Sequence, residues 1–457
     1  MSKFGLMFLL SYAMCIYGTF FKNITWGICL YTMQYWLNPA TRWWYGSLPN
    51  VRWSLTISLC ILIAYGMKMG KYTKNRLFDV PQTKWFIANL LVIIIINSWA
   101  VWPAMHSKFK GDHIKLLIFI FLAYKTVDNP LKFDAMMVTC MGGGFYVAHE
   151  TRTKGRNSQG RVENTGPADS GGDGNNASAS LVTLIPMILY FLVKSWLRKD
   201  KRWKQFMYFV FLAFVGQSIV LINSRGAFIA LVLCNFYLGF FVFVNKKVKT
   251  KQRFQMIFAV ILAICAFLAV ADDTFWERIS SVSEESESDT GGGGRKLFWT
   301  VAFNEIARDY PWGAGAWGFA YLSSFYVPRE YMPKGGTGGK RAVHSLYFQC
   351  LVERGYWGTF VWANLIFCNF IFMRKVKKHL RKNGNLSRYF QALALESGFL
   401  GFLIAAVFLN RLNSEILYWQ PLFVACFGNI YMLKNYGLKE MEDQKAEKER
   451  KKQKQRK

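Results

Sequence analysis

Residues 206–244 read FMYFVFLAFVGQSIVLI, then NSRG, then AFIALVLCNFYLGFFVFV, and the only charged side chain in that stretch is Arg225. A helix of roughly 20 mainly apolar residues crosses the hydrocarbon core of a bilayer, and it satisfies its own backbone hydrogen bonds where no water is available. Runs of the same kind recur at Trp85 to Ala104, Leu181 to Val193, Phe254 to Val270, Phe360 to Met373 and Gly398 to Leu409. Over the 457 residues, 53% are hydrophobic, 17% aromatic and 18% charged, against about 25% charged in a soluble globular domain. The chain therefore reads as an all-α polytopic membrane protein. Spans are expected near 4–20, 23–37, 53–67, 85–104, 114–126, 133–149, 179–196, 205–222, 225–244, 254–271, 343–373, 393–410 and 414–433, a total of 11 to 13 because three of these are short.

The formal net charge of +30 invites a nucleic-acid reading, which needs Lys and Arg gathered on a folded soluble face. Here they sit between apolar runs. Five segments, 68–84, 194–204, 246–253, 374–388 and 434–457, hold 33 of the 57 Lys and Arg. The positive-inside rule puts these segments in the cytoplasm, facing anionic headgroups, and excludes a nucleic-acid partner. Nine cysteines are spread singly with no CxxC, which suits small buried hydrophobes rather than disulfides or zinc ligands. Residues 1–20 have an apolar core with no small-residue cleavage site before Lys22 and read as a retained first span.

With the basic loops inside, the polar stretches face outward, and the chain divides accordingly. Residues 1–271 form an amino-terminal transmembrane bundle, 272–342 a large outward loop, 343–436 a carboxy-terminal set of spans, and 437–457 a basic cytoplasmic tail. Within the bundle, 151–177 is a Gly-, Asn-, Ser- and Asp-rich outward loop that carries GPADSGGDGNN. Residues 272–342 pass through SEESESDTGGGG and then change character. From Arg295 to Asp309, the spacing of Leu297, Phe298, Val301, Ala302 and Ile306 predicts an amphipathic helix lying along the membrane surface. Pro311 ends it, and WGAGAWGF follows as a loop.

Three outward positions combine charge with an awkward setting. Arg225 in SRGA stands at the lip of a span, Arg295 opens the amphipathic helix, and His344 in AVHSLYFQ stands at the lip of another span. A guanidinium grips phosphate oxygens bidentately and stays charged, while an imidazole accepts a proton near neutral pH. Together they suit a phosphorylated leaving group and a hydroxyl nucleophile. The plainer alternatives are arginines snorkelling to headgroups and a histidine that caps or packs a helix start. His106, His113, His149 and His379 have no comparable setting and read as packing residues.

SRGAFIALVL at 224–233, WERIS at 276–280, GRKLFWTVAFNEIARDYPWGAGAWGF at 294–319 and VHSLYFQCLVERGYWG at 343–358 resemble the shared domain of the O-antigen ligases, O-antigen polymerases and bacterial oligosaccharide O-transferases. The blocks match in order, spacing and membrane context over about 135 residues. The resemblance implies a fold of the membrane glycosyltransferase (GT-C-like) type with a large periplasmic loop. It also implies transfer of a glycan from a polyprenyl (undecaprenyl) pyrophosphate carrier to an acceptor hydroxyl, and it assigns the essential roles to Arg225, Arg295 and His344. Ser345 stands where the family usually has Asn after that histidine. WLNPATRWWYGSLPN at 36–50 and the polar loop resemble the O-glycosylation ligase branch found beside exosortase systems; there Asp173, Asn175 and Asn176 correspond to an Asp-Asn-Asn that would bind substrate, with Gly174 inserted.

No GxxxxGK[ST] loop is present, so no nucleotide donor is implied, and the expected enzyme is an inverting, metal-independent transferase without a cofactor. Its expected partners are the polyprenyl-pyrophosphate-linked glycan donor, a lipid, protein or glycan acceptor, and membrane lipids. A polysaccharide polymerase would use the same chemistry. A metal-dependent transferase built on Asp272 and Asp273 is a rival, as is a lipid-linked glycan transporter or flippase; the latter would call for inverted repeats and broken helices near the midplane.

Overall fold

The computed structural model describes residues 2–158, 160–250, 253, 254, 261, 268, 271, 273, 276, 293–332 and 339–436. Among them every regular element is helical. In chain order these are α1 Lys3–Tyr17, α2 Thr25–Leu37, α3 Trp53–Met67, α4 Gln82–Ile96, α5 Pro103–Thr126, α6 Pro130–Lys154, α7 Gly174–Val182, α8 Ile185–Leu197, α9 Arg202–Ile222 and α10 Arg225–Phe243. After the gap come α11 Gly293–Val301, which runs on through a wider turn to Asp309, then α12 Gly318–Tyr326, α13 Leu346–Lys382, α14 Leu386–Ala405 and α15 Glu415–Gly428.

Helices coincide with twelve of the expected spans; the span expected at 254–271 and the tail beyond residue 436 lie largely or wholly outside the described residues. Seven are long and apolar enough on their own to cross a bilayer, or eight if α3 and the short helix after it, bent by 89°, count as one. The chain is an all-α polytopic membrane protein. The other helices fall short for visible reasons. The run expected at 85–104 stops at Ile96, and Pro103, whose fixed φ suits a first helical turn, starts α5. The polar first half of α5 carries Lys108, Lys110, Asp112 and Lys115, and α6 ends in Glu150, Arg152 and Lys154. The eight cysteines among the described residues are free thiols.

Two cores result. The larger lies between the bundle helices and includes Trp36, Phe133, Phe402, Trp419 and Phe427, all buried. The smaller belongs to a lobe made by α11, α12 and the segment leading into α13, and it gathers Phe298, Val301, Ala302, Ile306, Phe319, Leu322, Val343 and Val352. The apolar residues anticipated on one face of 295–309 pack into this protein core. WGAGAWGF is likewise only partly a loop, since α12 begins at Gly318.

The lobe is stitched to the bundle by backbone hydrogen bonds. Ala314 N–H donates to the Val352 carbonyl (2.8 Å), Gly315 N–H to Glu353 (3.0 Å) and Tyr356 N–H to Pro311 (3.0 Å). This close approach needs Gly355: at φ +66° it breaks the helical path of α13, and a Cβ there would lie 2.5 Å from the Gly313 nitrogen.

Candidate functional site

Arg225 opens α10. Asn223 closes α9 in the left-handed conformation (φ 57°), so the chain turns back within two residues and delivers a half-buried Arg225 at the new helix start. Gly226 next to it packs tightly, because a Cβ there would meet the Phe408 ring at 3.2 Å. Phe408 lies at the end of α14, and its other neighbour is Trp299 of α11, with ring centroids 6.2 Å apart. Trp299 stands one helical turn after Arg295, so Phe408 and Trp299 fill the space between the two arginine-bearing helix starts.

The same indole positions the histidine. Trp299 Nε1 donates to the Val343 carbonyl (3.0 Å) and its ring stacks on Phe348 at 5.5 Å, clamping the residues on both sides of His344. His344 itself adopts φ 52°, an uncommon backbone setting for a residue with a side chain. Ser345 occupies the cap position of α13 without a side-chain capping bond, and α13 begins only at Leu346. His344 thus precedes the span. Partial burial lowers its pKa below the usual histidine value, the Arg295 guanidinium pushes it lower, Asp173 pulls it back up, and Arg341 lowers it again. These influences together favour the neutral imidazole, the form that can take a proton.

Asp173 reaches this site because it caps a helix. Its Oδ1 accepts from Asn175 N–H (2.7 Å), which starts α7 inside the stretch expected to be a loop from 151 to 177. The irregular segment is shorter, 155–173, because α6 continues to Lys154. The first turn of α7 also packs close to the end of α9: a Cβ at Gly174 would come within 2.9 Å of Ile222. Asn175 and Asn176 lie in that turn, and Asn176 Nδ2 donates to the Ser170 carbonyl (3.2 Å), which ties it back to its own loop. Arg295 and Asp173 thus act on the His344 imidazole, and Arg225 follows three residues after Ile222, against which Gly174 packs. Of the acidic pair weighed as metal ligands, Asp273 is exposed and Asp272 lies outside the described residues; most of WERIS lies there too.

Sequence reasoning missed two buried networks beneath this end. In the first, the Asp169 carboxylate accepts from Tyr35 Oη (2.9 Å), Arg411 Nη2 (2.9 Å), Ser414 Oγ (2.9 Å) and Glu415 N–H (2.7 Å). One side chain of the polar segment between α6 and α7 thereby caps α15 and compensates a guanidinium that is only 2% exposed. In the second, Glu353 Oε1 accepts from Trp317 N–H and Gln349 Nε2 (both 3.0 Å), while Arg354 Nη2 donates to Tyr418 Oη (2.7 Å) and Nη1 to Asn89. The adjacent charges in VERGYWG are thus structural. His106 keeps its packing role, with Nδ1 accepting from Ala316 N–H (2.9 Å). The available signal was an Arg or Glu inside an apolar run, where an unpartnered charge is expensive.

Residues 208–363 match a family model described as O-antigen ligase. That span contains Arg225, Arg295 and His344 and supports the O-antigen ligase superfamily; Asp173, Asn175 and Asn176 fall outside it. No curated protein matches the chain.

Proposed function

We propose that this protein transfers a glycan from a polyprenyl (undecaprenyl) pyrophosphate carrier to an acceptor hydroxyl at the periplasmic face of the bacterial inner membrane. The observations that carry this reading are that Arg295 acts on the His344 imidazole, that Arg225 opens α10 next to Gly226, which packs on Phe408, itself beside Trp299 of α11, and that all three residues lie inside the segment that matches the ligase family. The acceptor oxygen attacks the anomeric carbon from the face opposite the leaving group. The bond from that carbon to the phosphate oxygen breaks, its electron pair departs with the diphosphate, and the configuration inverts. His344 accepts the hydroxyl proton. Arg225 and Arg295 stabilise the charge that grows on the departing diphosphate, where preset donors in a dry site are worth several kcal/mol. Nothing in this step calls for a metal or cofactor.

The stretch at 36–50 and the loop ending in Asp173, Gly174, Asn175 and Asn176 favour the exosortase-associated O-glycosylation ligase branch, with Asp173 and the two asparagines on the substrate side. A polymerase acting on a second carrier-linked glycan would use the same three residues in the same roles.

Purified protein supplied with lipid-linked glycan and an acceptor, with EDTA present throughout, should release polyprenyl pyrophosphate. No release, or release only when a divalent ion is restored, would contradict the reaction as written. Sidedness is checked separately in a chain stripped of native thiols: a Cys at the exposed Ser324 should label from outside, and one at the exposed Lys199 only after the inner leaflet is breached.

A further inference from the structure

The segment that delivers His344 carries another cation, which the transfer step above does not use. Arg341 is held at two points. Its backbone N–H donates to Ser323 Oγ (2.9 Å), and its side-chain Nε donates to the Tyr331 carbonyl (2.8 Å). Ser323 is fully buried in the lobe, so the first anchor is fixed. A guanidinium has five N–H donors in a rigid plane, and a bond at Nε leaves four on the Nη pair, pointing as a fork. Among the described residues, no carbonyl or carboxylate takes any of those four.

The neighbouring side chain behaves differently. Lys340 Nζ lies 3.7 Å from the centroid of the Trp102 ring, so that cation is already occupied by an aromatic face. Arg341 instead contributes, with Arg295, to the field felt by the His344 imidazole. Three residues upstream of His344 and half-buried, it is close enough for its charge to act on that imidazole, and its Nη pair forms a fork preset by the bond at Nε. Such a fork matches two oxygens of a phosphoryl group.

We propose that Arg341 is a third phosphate-binding arginine of this site, taking a phosphoryl oxyanion on its Nη pair while Tyr331 and Ser323 hold it in place. The assignment of that phosphate to a donor rests on the function proposed above. The oxyanion belongs either to the diphosphate of the polyprenyl donor or to the headgroup of an ordinary phospholipid, and the two sources are separable.

Full-length protein in phosphatidylcholine nanodiscs is titrated with undecaprenyl diphosphate, and retention of phosphatidylglycerol is followed in parallel by native mass spectrometry. Arg341→Gln should weaken the diphosphate by about tenfold with phosphatidylglycerol unaffected. An equal loss for both lipids assigns the bound phosphate to bulk headgroups and removes the donor from the inference. Unchanged binding of both overturns it. If Arg341→Gln does not accumulate, Arg341→Lys decides, because it keeps the charge without the fork: wild-type affinity there also overturns the inference. The titration of His344, followed by NMR in the same variants, should move upward on loss of Arg341, a change that a purely structural tether would not produce. Wild-type protein that fails to bind undecaprenyl diphosphate at all would instead overturn the functional reading, whatever Arg341 does.

Discussion

The two ends of α6 place charge in opposite ways. Near its amino terminus Asp134 is surrounded: Lys194 Nζ lies 3.0 Å from Oδ2, Arg388 Nη1 lies 3.3 Å from it, and Gln391 Nε2 donates to Oδ1 at 3.0 Å. Close by, Glu396 accepts from Tyr237 Oη (2.7 Å) and pairs with Lys377. There the carboxylates have collected cations until their lone pairs are used. Beyond the other end of α6, roughly 35 Å away for a 25-residue helix, His344 is influenced by two guanidiniums and one carboxylate, and that carboxylate already caps α7. A saturated cluster fastens helices together. A cluster in which cations prevail around an imidazole suits an anionic ligand and a proton transfer, so the two ends should respond differently to mutation.

The largest contrast is in activity. Arg225→Ala or Arg295→Ala should reduce glycan transfer by about a hundredfold or more while the protein still accumulates in the membrane. Lys in either place should restore little, since it cannot make the two-pronged phosphate contact. At the other end, Asp134→Asn should leave the turnover of folded protein near normal and lower its thermal unfolding midpoint instead. Full activity of an Arg295→Lys enzyme would reduce the proposed grip to general surface charge.

Asp169 tests whether the site end also depends on a saturated cluster beneath it. Asp169→Ala would strand the buried Arg411 and uncap α15, a kind of change that costs about 3–5 kcal/mol when a buried pair loses one partner. Loss of detergent-resistant protein is the expected outcome, and Asp169→Asn should recover part of it because the amide oxygen can still accept. Normal stability in both variants would mean that the outward loop is held by something else.

The sequence made the membrane fold plain because charge-free runs of bilayer length have few other uses, and the basic segments between them supply the expected sidedness. Three isolated residues could be proposed as a site because each carried a charge or an imidazole at the edge of such a run. The pairings of Asp169, Arg411, Glu353 and Arg354 went unseen for the opposite reason: apart from Gln349, one turn before Glu353, their partners are 36 to 265 positions away, and only the packed bundle brings them into reach. The breaks at Ile96 and Gly355 were hidden too, since an apolar run records burial and says nothing of the backbone turn within it. The start of α7 was legible in principle from Asp173 followed by a helical pattern, but the glycines around it read as a loop.

The smallest effect, a shift in pH dependence, is the most specific. His344 titrates below the usual histidine value because of its burial and Arg295, so the acid limb of kcat/KM should fall below pH 6.5, with activity lost as the imidazole protonates. Asp173 favours the protonated form, so Asp173→Asn should shift that limb to lower pH and leave the enzyme in its active neutral state over a wider range. The substituted amide can still accept from Asn175 N–H, which keeps the α7 cap largely intact. No such shift is expected from Asp134→Asn, whose carboxylate is compensated where it stands. His344→Asn, which tolerates the same left-handed backbone, should lose the limb altogether along with two to four orders of magnitude in rate. An acid limb that persists in His344→Asn would assign the proton to another group and leave the arginines as the surviving part of the mechanism. A limb that disappears there but stays fixed in Asp173→Asn would separate the base from its carboxylate neighbour.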